Sequence, residues 1–127
     1  GSNAQTMKEQ TGSAGIMIAR GSHGRPWIFT QARAALGRKI IPDDPDIMER
    51  FQICLEHARN GILFENNPDK ALRDFRKHLG WYTKGVPGGR DLRAKLFVAL
   101  SFQEVEDLLN NYIKIQMSSK SDLKVFA

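Results

Sequence analysis

The chain is poor in several things, and each shortage removes a class of protein. A single cysteine, Cys54, among 127 residues excludes an internal disulfide, and with it the small disulfide-stapled secreted scaffolds. No apolar run approaches the roughly 20 residues a membrane-spanning helix requires, and no basic stretch followed by an apolar one marks a signal peptide. Both shortages point to the cytoplasm and to no membrane partner. Strand-forming runs are scarcer still. Ile16, Met17 and Ile18 form a short apolar run without polar alternation, the pattern of a strand covered on both faces, and nothing downstream matches it. Groups of ligating residues at metal-site spacing are also missing, so no metal is expected.

The lone strand sets up an expectation about the chain as a whole. A parallel strand needs neighbours in the same sheet, and 127 residues fall well short of the roughly 250 of an α/β barrel. The sequence therefore reads as a piece of a longer protein: a scar-like Gly1–Ala4 left by tag cleavage, then a remnant of a strand-containing domain over residues 5–29. A helical domain over 30–117 and a flexible tail over 118–127 complete it. Without its sheet, the strand is a template for self-association.

What is abundant is helix signal. Pro26 suits a first helical turn, Trp27, Ile28, Ala32, Ala35 and Leu36 give an apolar side, and Gly37 suits a stop. Asp44 with Pro45 predicts the start of a second helix, whose stripe is Ile47, Phe51, Cys54, Leu55, Ala58 and Ile62; Cys54 then reads as a packed thiol. Asn67 with Pro68 opens a third, with Ala71, Leu72, Phe75, Leu79 and Tyr82 facing inward and Gly85 and Pro87 ending it. A shorter fourth helix spans 88–99. Ser101 and Glu104 form a capping-box pattern for a fifth, striped by Val105, Leu108, Leu109, Tyr112 and Ile113, with fraying beyond Met117. The fold class expected is mainly α: a bundle of about five helices preceded by a strand remnant.

Charge is concentrated in one window. Residues 70–95 hold eight Lys and Arg against Asp74 and Asp91, although the whole chain carries only +5. Such a field attracts polyanions, and phosphate backbones are the commonest. At about 100° per residue, Arg73, Arg76, Lys77, Gly80 and Lys84 share one side of the third helix. The candidate phosphate contacts are Arg73, Arg76, Lys77, Lys84, Arg90 and Arg93. Gly80, costly in a helix interior, signals close approach, with a packed helix the first choice and a ligand backbone the second. His78 and Trp81 are candidates to stack on an unpaired base, or are held inside the fold. The competing reading of the stripe is a solvated face, or one that meets an acidic protein.

A second candidate anion site lies near the start. The strand Ile16–Ile18 runs into a glycine-rich turn and a helix start, the arrangement that aims backbone amides at a phosphate, and Arg20 adds a charge able to grip it in two places. Gly21 and Gly24 supply backbone freedom there.

Two blocks carry a resemblance to a known family. TGSAGIMIARGSHGRPWIF (residues 11–29) and FRKHLGWYTKGVPGGRDLR (residues 75–93) resemble the C-terminal part of bacterial tRNA-dihydrouridine synthases. The resemblance implies an eight-stranded α/β barrel followed by a helical tRNA-binding domain, in a flavoenzyme that uses FMN and NADPH to reduce the C5–C6 double bond of uridines in tRNA. It places the FMN phosphate at Ala19, Arg20 and Gly21, with alanine at 19 where many relatives have glycine. The family's catalytic cysteine belongs to a barrel loop; Cys54 does not match it, so no catalytic residue is expected in these 127 residues and the chain alone should be inactive.

Overall fold

The computed structural model describes residues 2–125, and side chains from residue 3 to residue 122. Six α-helices follow one another: α1 (Ser2–Thr11), α2 (Ile28–Leu36), α3 (Ile47–Glu65), α4 (Pro68–Tyr82), α5 (Gly89–Val98) and α6 (Phe102–Val125). A one-turn 3-10 helix, Arg20–Ser22, lies between α1 and α2. The chain divides into two compact units, one ending at Pro45 and one beginning at Asp46.

In the first unit the expected strand does not form. Among the described residues no strand is present; the chain around Ile16–Ile18 is irregular, and Met17 is 87% exposed. The physical reason is the one already given: a strand's amides and carbonyls need a partner strand, and this chain supplies none. An unexpected helix, α1, covers part of the scar-like segment and packs on α2. Gly1, the first residue of that segment, lies outside the described residues. Because α2 belongs with α1, the unit boundary falls at Pro45, some fifteen residues beyond the division drawn between 29 and 30. After α2 the left-handed position is taken by Arg38 (φ 53°), while Gly37 stays at φ −84°.

The second unit is built on α3 and α4, with α4 against α5 and α6 against both α3 and α5. Its core comprises Phe51, Cys54 and Leu55 of α3, Leu72, Phe75, Leu79 and Tyr82 of α4, Leu92 and Leu96 of α5, and Val105 and Leu109 of α6. These follow the predicted stripes of the second, third and fifth helices, save that Ile47, Ile62, Leu108, Tyr112 and Ile113 are only half-buried.

One cap differs from expectation. Asp46, not Asp44, opens α3: its carboxylate accepts from the Glu49 amide at 2.8 Å while Glu49 accepts from the Asp46 amide at 3.2 Å. That reciprocal pair needs an acid three residues on, which Asp46 has in Glu49 and Asp44 lacks. Asp44 instead accepts from Gln31 Nε2 at 2.8 Å and Trp27 Nε1 at 3.2 Å, tying the end of the first unit to α2. Asn67 caps α4 as predicted, accepting from the Lys70 amide at 3.1 Å. Ser101 accepts from the Glu104 amide at 3.2 Å, but the Glu104 carboxylate returns to the Leu100 amide rather than to Ser101. Where fraying was expected past Met117, α6 continues to Val125; residues 126 and 127 of the expected tail lie outside the described residues.

Candidate nucleic-acid interface

The basic side of α4 is narrower than a helical wheel makes it. Gly80, on that wheel, is covered by α5: a Cβ there would sit 3.3 Å from Phe97 Cζ. The glycine thus admits an aromatic ring, and packing explains it. On the same edge Arg76 is half-buried and donates from Nη2 to the Ala99 carbonyl at 3.2 Å, satisfying a backbone group at the end of α5. Arg73 and Lys77 remain exposed on the outer side.

The turn between α4 and α5 determines where the remaining cations sit. Gly85 (φ 78°) and Gly88 (φ 65°) take left-handed backbone that disfavours a side chain. Gly89 is constrained differently, because a Cβ there would meet the Thr83 carbonyl oxygen at 2.8 Å. That carbonyl accepts from Arg93 Nη1 at 2.9 Å, and the buried Thr83 hydroxyl donates to the Leu79 carbonyl at 2.7 Å. Arg93 is therefore half-buried and clamps the turn. Lys84 and Arg90 stay exposed on either side of it, although Lys84 lies past the end of α4, and its carbonyl accepts from Arg50 Nη1 at 3.2 Å. Of the six predicted phosphate contacts, the structure leaves Arg73, Lys77, Lys84 and Arg90 exposed and uses Arg76 and Arg93 internally.

His78 and Trp81 belong to a ring cluster whose centre the sequence reading missed. His57 of α3 sits edge-on to Phe75, His78 and Tyr82, with ring centroids 4.9, 4.8 and 6.0 Å away. His78 stacks on Phe75 at 5.1 Å, and Trp81 meets His78 edge-on at 5.0 Å. The His57 Nδ1 lies 3.1 Å from the buried Tyr82 hydroxyl. Burial lowers the His57 pKa below its usual 6.5 and, with a smaller contribution from Cys54, raises that of Tyr82. His57 lies one polar step off the α3 stripe, where periodicity carries no signal; a histidine two turns from exposed Phe64 on the same helix side is the one hint available. Cys54 is buried and its thiol is pushed up to about 12, so it carries no thiolate chemistry.

The turn at Ala19, Arg20 and Gly21 is exposed. Ser22 and His23 use their amides on the Ala19 and Arg20 carbonyls at 3.1 Å each, and Ser22 Oγ donates to the Ala19 carbonyl at 2.7 Å. Those donors are closed to a ligand. The Arg20 guanidinium remains exposed beside a glycine whose Cβ position lies 3.8 Å from Ile18 Cγ2, leaving ordinary contact space. Of the donors expected at this turn, the Arg20 guanidinium is the one the turn's own hydrogen bonds leave to an anion. Among the described residues no helix is long and apolar enough to cross a membrane, and no His, Cys, Asp or Glu cluster of metal-holding size occurs.

Fold and surface together define a helical bundle with a cationic face formed by α4, the turn after it and the start of α5. Residues 1–119 match the sequence model of the dihydrouridine synthase family, and the chain belongs to that family. It is 37% identical over 109 residues to a probable tRNA-dihydrouridine synthase of Mycobacterium leprae, covering 86% of this chain and 28% of that protein. It is 35% identical over 105 residues to probable tRNA-dihydrouridine synthase 1 of Synechocystis, covering 83% and 29%. With tRNA-dihydrouridine synthase B of Pseudomonas aeruginosa the identity is 38% over 93 residues, covering 72% and 27%. The chain thus spans under a third of the length of the relatives it matches. No solved structure matches it.

Proposed function

We propose that this chain is the C-terminal helical, tRNA-binding part of a tRNA-dihydrouridine synthase. The observation that carries the reading is the exposed set Arg73, Lys77, Lys84 and Arg90 on α4, the following turn and α5, in a chain of this family. These four contact RNA phosphates directly. Arg76 and Arg93 contribute less directly, since each has one guanidinium nitrogen on a backbone carbonyl. In the whole enzyme, the turn at Ala19, Arg20 and Gly21 faces the phosphate of FMN, with Arg20 as the fixed charge. When bound, FMN reduced by NADPH would supply a hydride to the uridine C5–C6 bond in a cytoplasmic reaction, the matching proton coming from the general acid that the family carries on a barrel loop. The 127 residues alone are expected to have no reductase activity.

Binding of the chain to tRNA over a salt series tests the reading. The affinity should fall with a log–log slope of about −0.7 to −0.9 per phosphate contact, and Lys77→Ala or Arg90→Ala should each flatten it by about one contact. A slope near zero overturns the reading. Displacement of tRNA by an acidic protein at comparable concentration would favour a protein-interaction module instead. In the full-length enzyme, Arg20→Ala should lower the flavin content of the purified protein; an unchanged content would remove Arg20 from the phosphate site.

A further inference from the structure

Beside the cationic face, between α3 and α4, lies a cleft of about 200 Å³ whose lining shares Lys77 alone with the proposed phosphate contacts. Its lining is of three chemical kinds. His57, His78 and Phe64 supply rings, Lys77 supplies a cation shared with the basic face, and Glu65 and Asp74 supply carboxylates. The volume is below the roughly 300–1,000 Å³ of pockets that take drug-sized ligands, so it suits one flat ring system rather than a whole nucleotide. Phe64 is 90% exposed at its mouth, and Leu63 beside it is 80% exposed, two apolar side chains left in water at the end of α3. A large apolar side chain held in solvent beside a cleft is informative where a scattered one is not. The two carboxylates would repel RNA if left alone. Lys70 offsets them, pairing with Glu65 and lying 3.6 Å from Asp74 Oδ2. Their oxygens still have lone pairs to offer, and an N–H donor of a base edge is what a carboxylate accepts from.

We propose that the α3–α4 cleft receives one unpaired nucleobase bearing an exocyclic amino group, stacked against Phe64 and the His57 and His78 edges, with Lys77 on the adjoining phosphate. The proposal rests on the RNA-binding reading above and adds a base site to it. Continuity with the cationic face picks RNA as the occupant: Lys77, a member of the exposed cationic set, lines the cleft, so a strand tracking that face passes its entrance. Stacking of bases on aromatic side chains tolerates many sequences, and the carboxylates supply the preference for an amino group over a second carbonyl.

The test uses the 127-residue chain and three RNA hairpins of equal length: fully paired, with one unpaired cytidine, and with an abasic residue in place of that cytidine. Wild type should bind the cytidine hairpin at least about fivefold more tightly than the abasic one, the lower end of what one stacked base contributes. Phe64→Ala, at an exposed position where the fold loses little, should erase that preference while leaving the salt slope and the affinity for the paired hairpin unchanged. Replacing the unpaired cytidine with uridine should cost part of the preference. Equal affinity of wild type for the cytidine and abasic hairpins, with tRNA binding intact, overturns the base site and leaves the cationic face standing. Equal loss on all three hairpins in Phe64→Ala also overturns it, showing that Phe64 supports the fold or another surface. Absence of salt-dependent binding to any of the RNAs overturns the underlying reading itself.

Discussion

The two packed units of this chain bury different things. In the first, the buried hydrophobic residues are Ala4, Ala32 and Ala35, while Ile40 and Met17 are 95% and 87% exposed. In the second, Phe51, Leu79, Leu96, Leu109 and Tyr82 are at most 1% exposed. Fully burying a large apolar side chain stabilises by about 1.5–3 kcal/mol, and an alanine contributes far less. The second unit therefore has a core that can hold it together, and the first has only the close approach of two short helices. The same contrast separates the two sequence blocks. Within residues 75–93 the unusual glycines have reasons in the unit's own structure: close neighbours at Gly80 and Gly89, left-handed backbone at Gly85 and Gly88. Residues 11–29 have left-handed backbone at Gly12 and Gly24, but Gly15, Gly21 and the exposed Arg20 have no such reason in the unit's own packing.

The largest effect expected from this contrast is in stability. Leu96→Ala should cost about 2–5 kcal/mol, because it leaves a cavity where nothing can collapse from solvent. Met17→Ser should stay within about 0.5 kcal/mol, as for other exposed positions. Denaturant unfolding of both variants decides it: a loss for Met17→Ser comparable to that for Leu96→Ala would mean that the first unit has a core of its own.

Glycines sharpen the comparison at an intermediate scale. Gly89→Ala drives a methyl group to within 2.8 Å of the Thr83 carbonyl oxygen that Arg93 holds, and should cost about 1–3 kcal/mol, the range for overpacking. Gly15→Ala meets nothing within 4 Å and should be neutral or slightly stabilising in this chain. Thermal unfolding of the pair checks it, and equal melting temperatures would show that the turn after α4 yields where the geometry says it cannot.

Much of the second unit was legible in the sequence because its signals are local. Asn67 with Pro68 marks the start of α4, and the stripe from Ala71 to Tyr82 names its buried face. The cap on α3 is not legible from residue type, since Asp44 and Asp46 are equivalent there and Asp46 alone has Glu49 three residues on. The basic stripe was right as a wheel and wrong as a surface. A wheel does not know that Phe97 arrives at Gly80 or that Ala99 presents its carbonyl to Arg76, because these partners come from α5 and its end, just as Arg93 on α5 is drawn back to the Thr83 carbonyl that closes α4. The strand failed for the opposite reason: the apolar run Ile16–Ile18 has the composition of a strand, but strand pairing is a property of two segments. His57 carries no local signal, as its partners Tyr82 and His78 lie more than twenty residues away.

The smallest effect is also the most specific to the second unit. His57 has its pKa lowered by burial, so in the folded state it resists a proton that the unfolded chain accepts at the usual value near 6.5. The unfolded state therefore binds more protons below that value, and stability falls as the pH drops through it, levelling off once the folded-state pKa is passed. At higher pH the imidazole is neutral in both states and contributes no pH dependence. Tyr82, raised by burial, keeps its proton throughout this range and holds its hydroxyl opposite Nδ1. Carboxylates also titrate as the pH falls, so the signal is a difference between variants: His57→Gln should lose less stability than wild type between about pH 7.5 and pH 5.5. Parallel losses would mean that the His57 ring exchanges protons with solvent as freely as in the unfolded chain, and that the α3–α4 cleft is more open than its ring contacts imply.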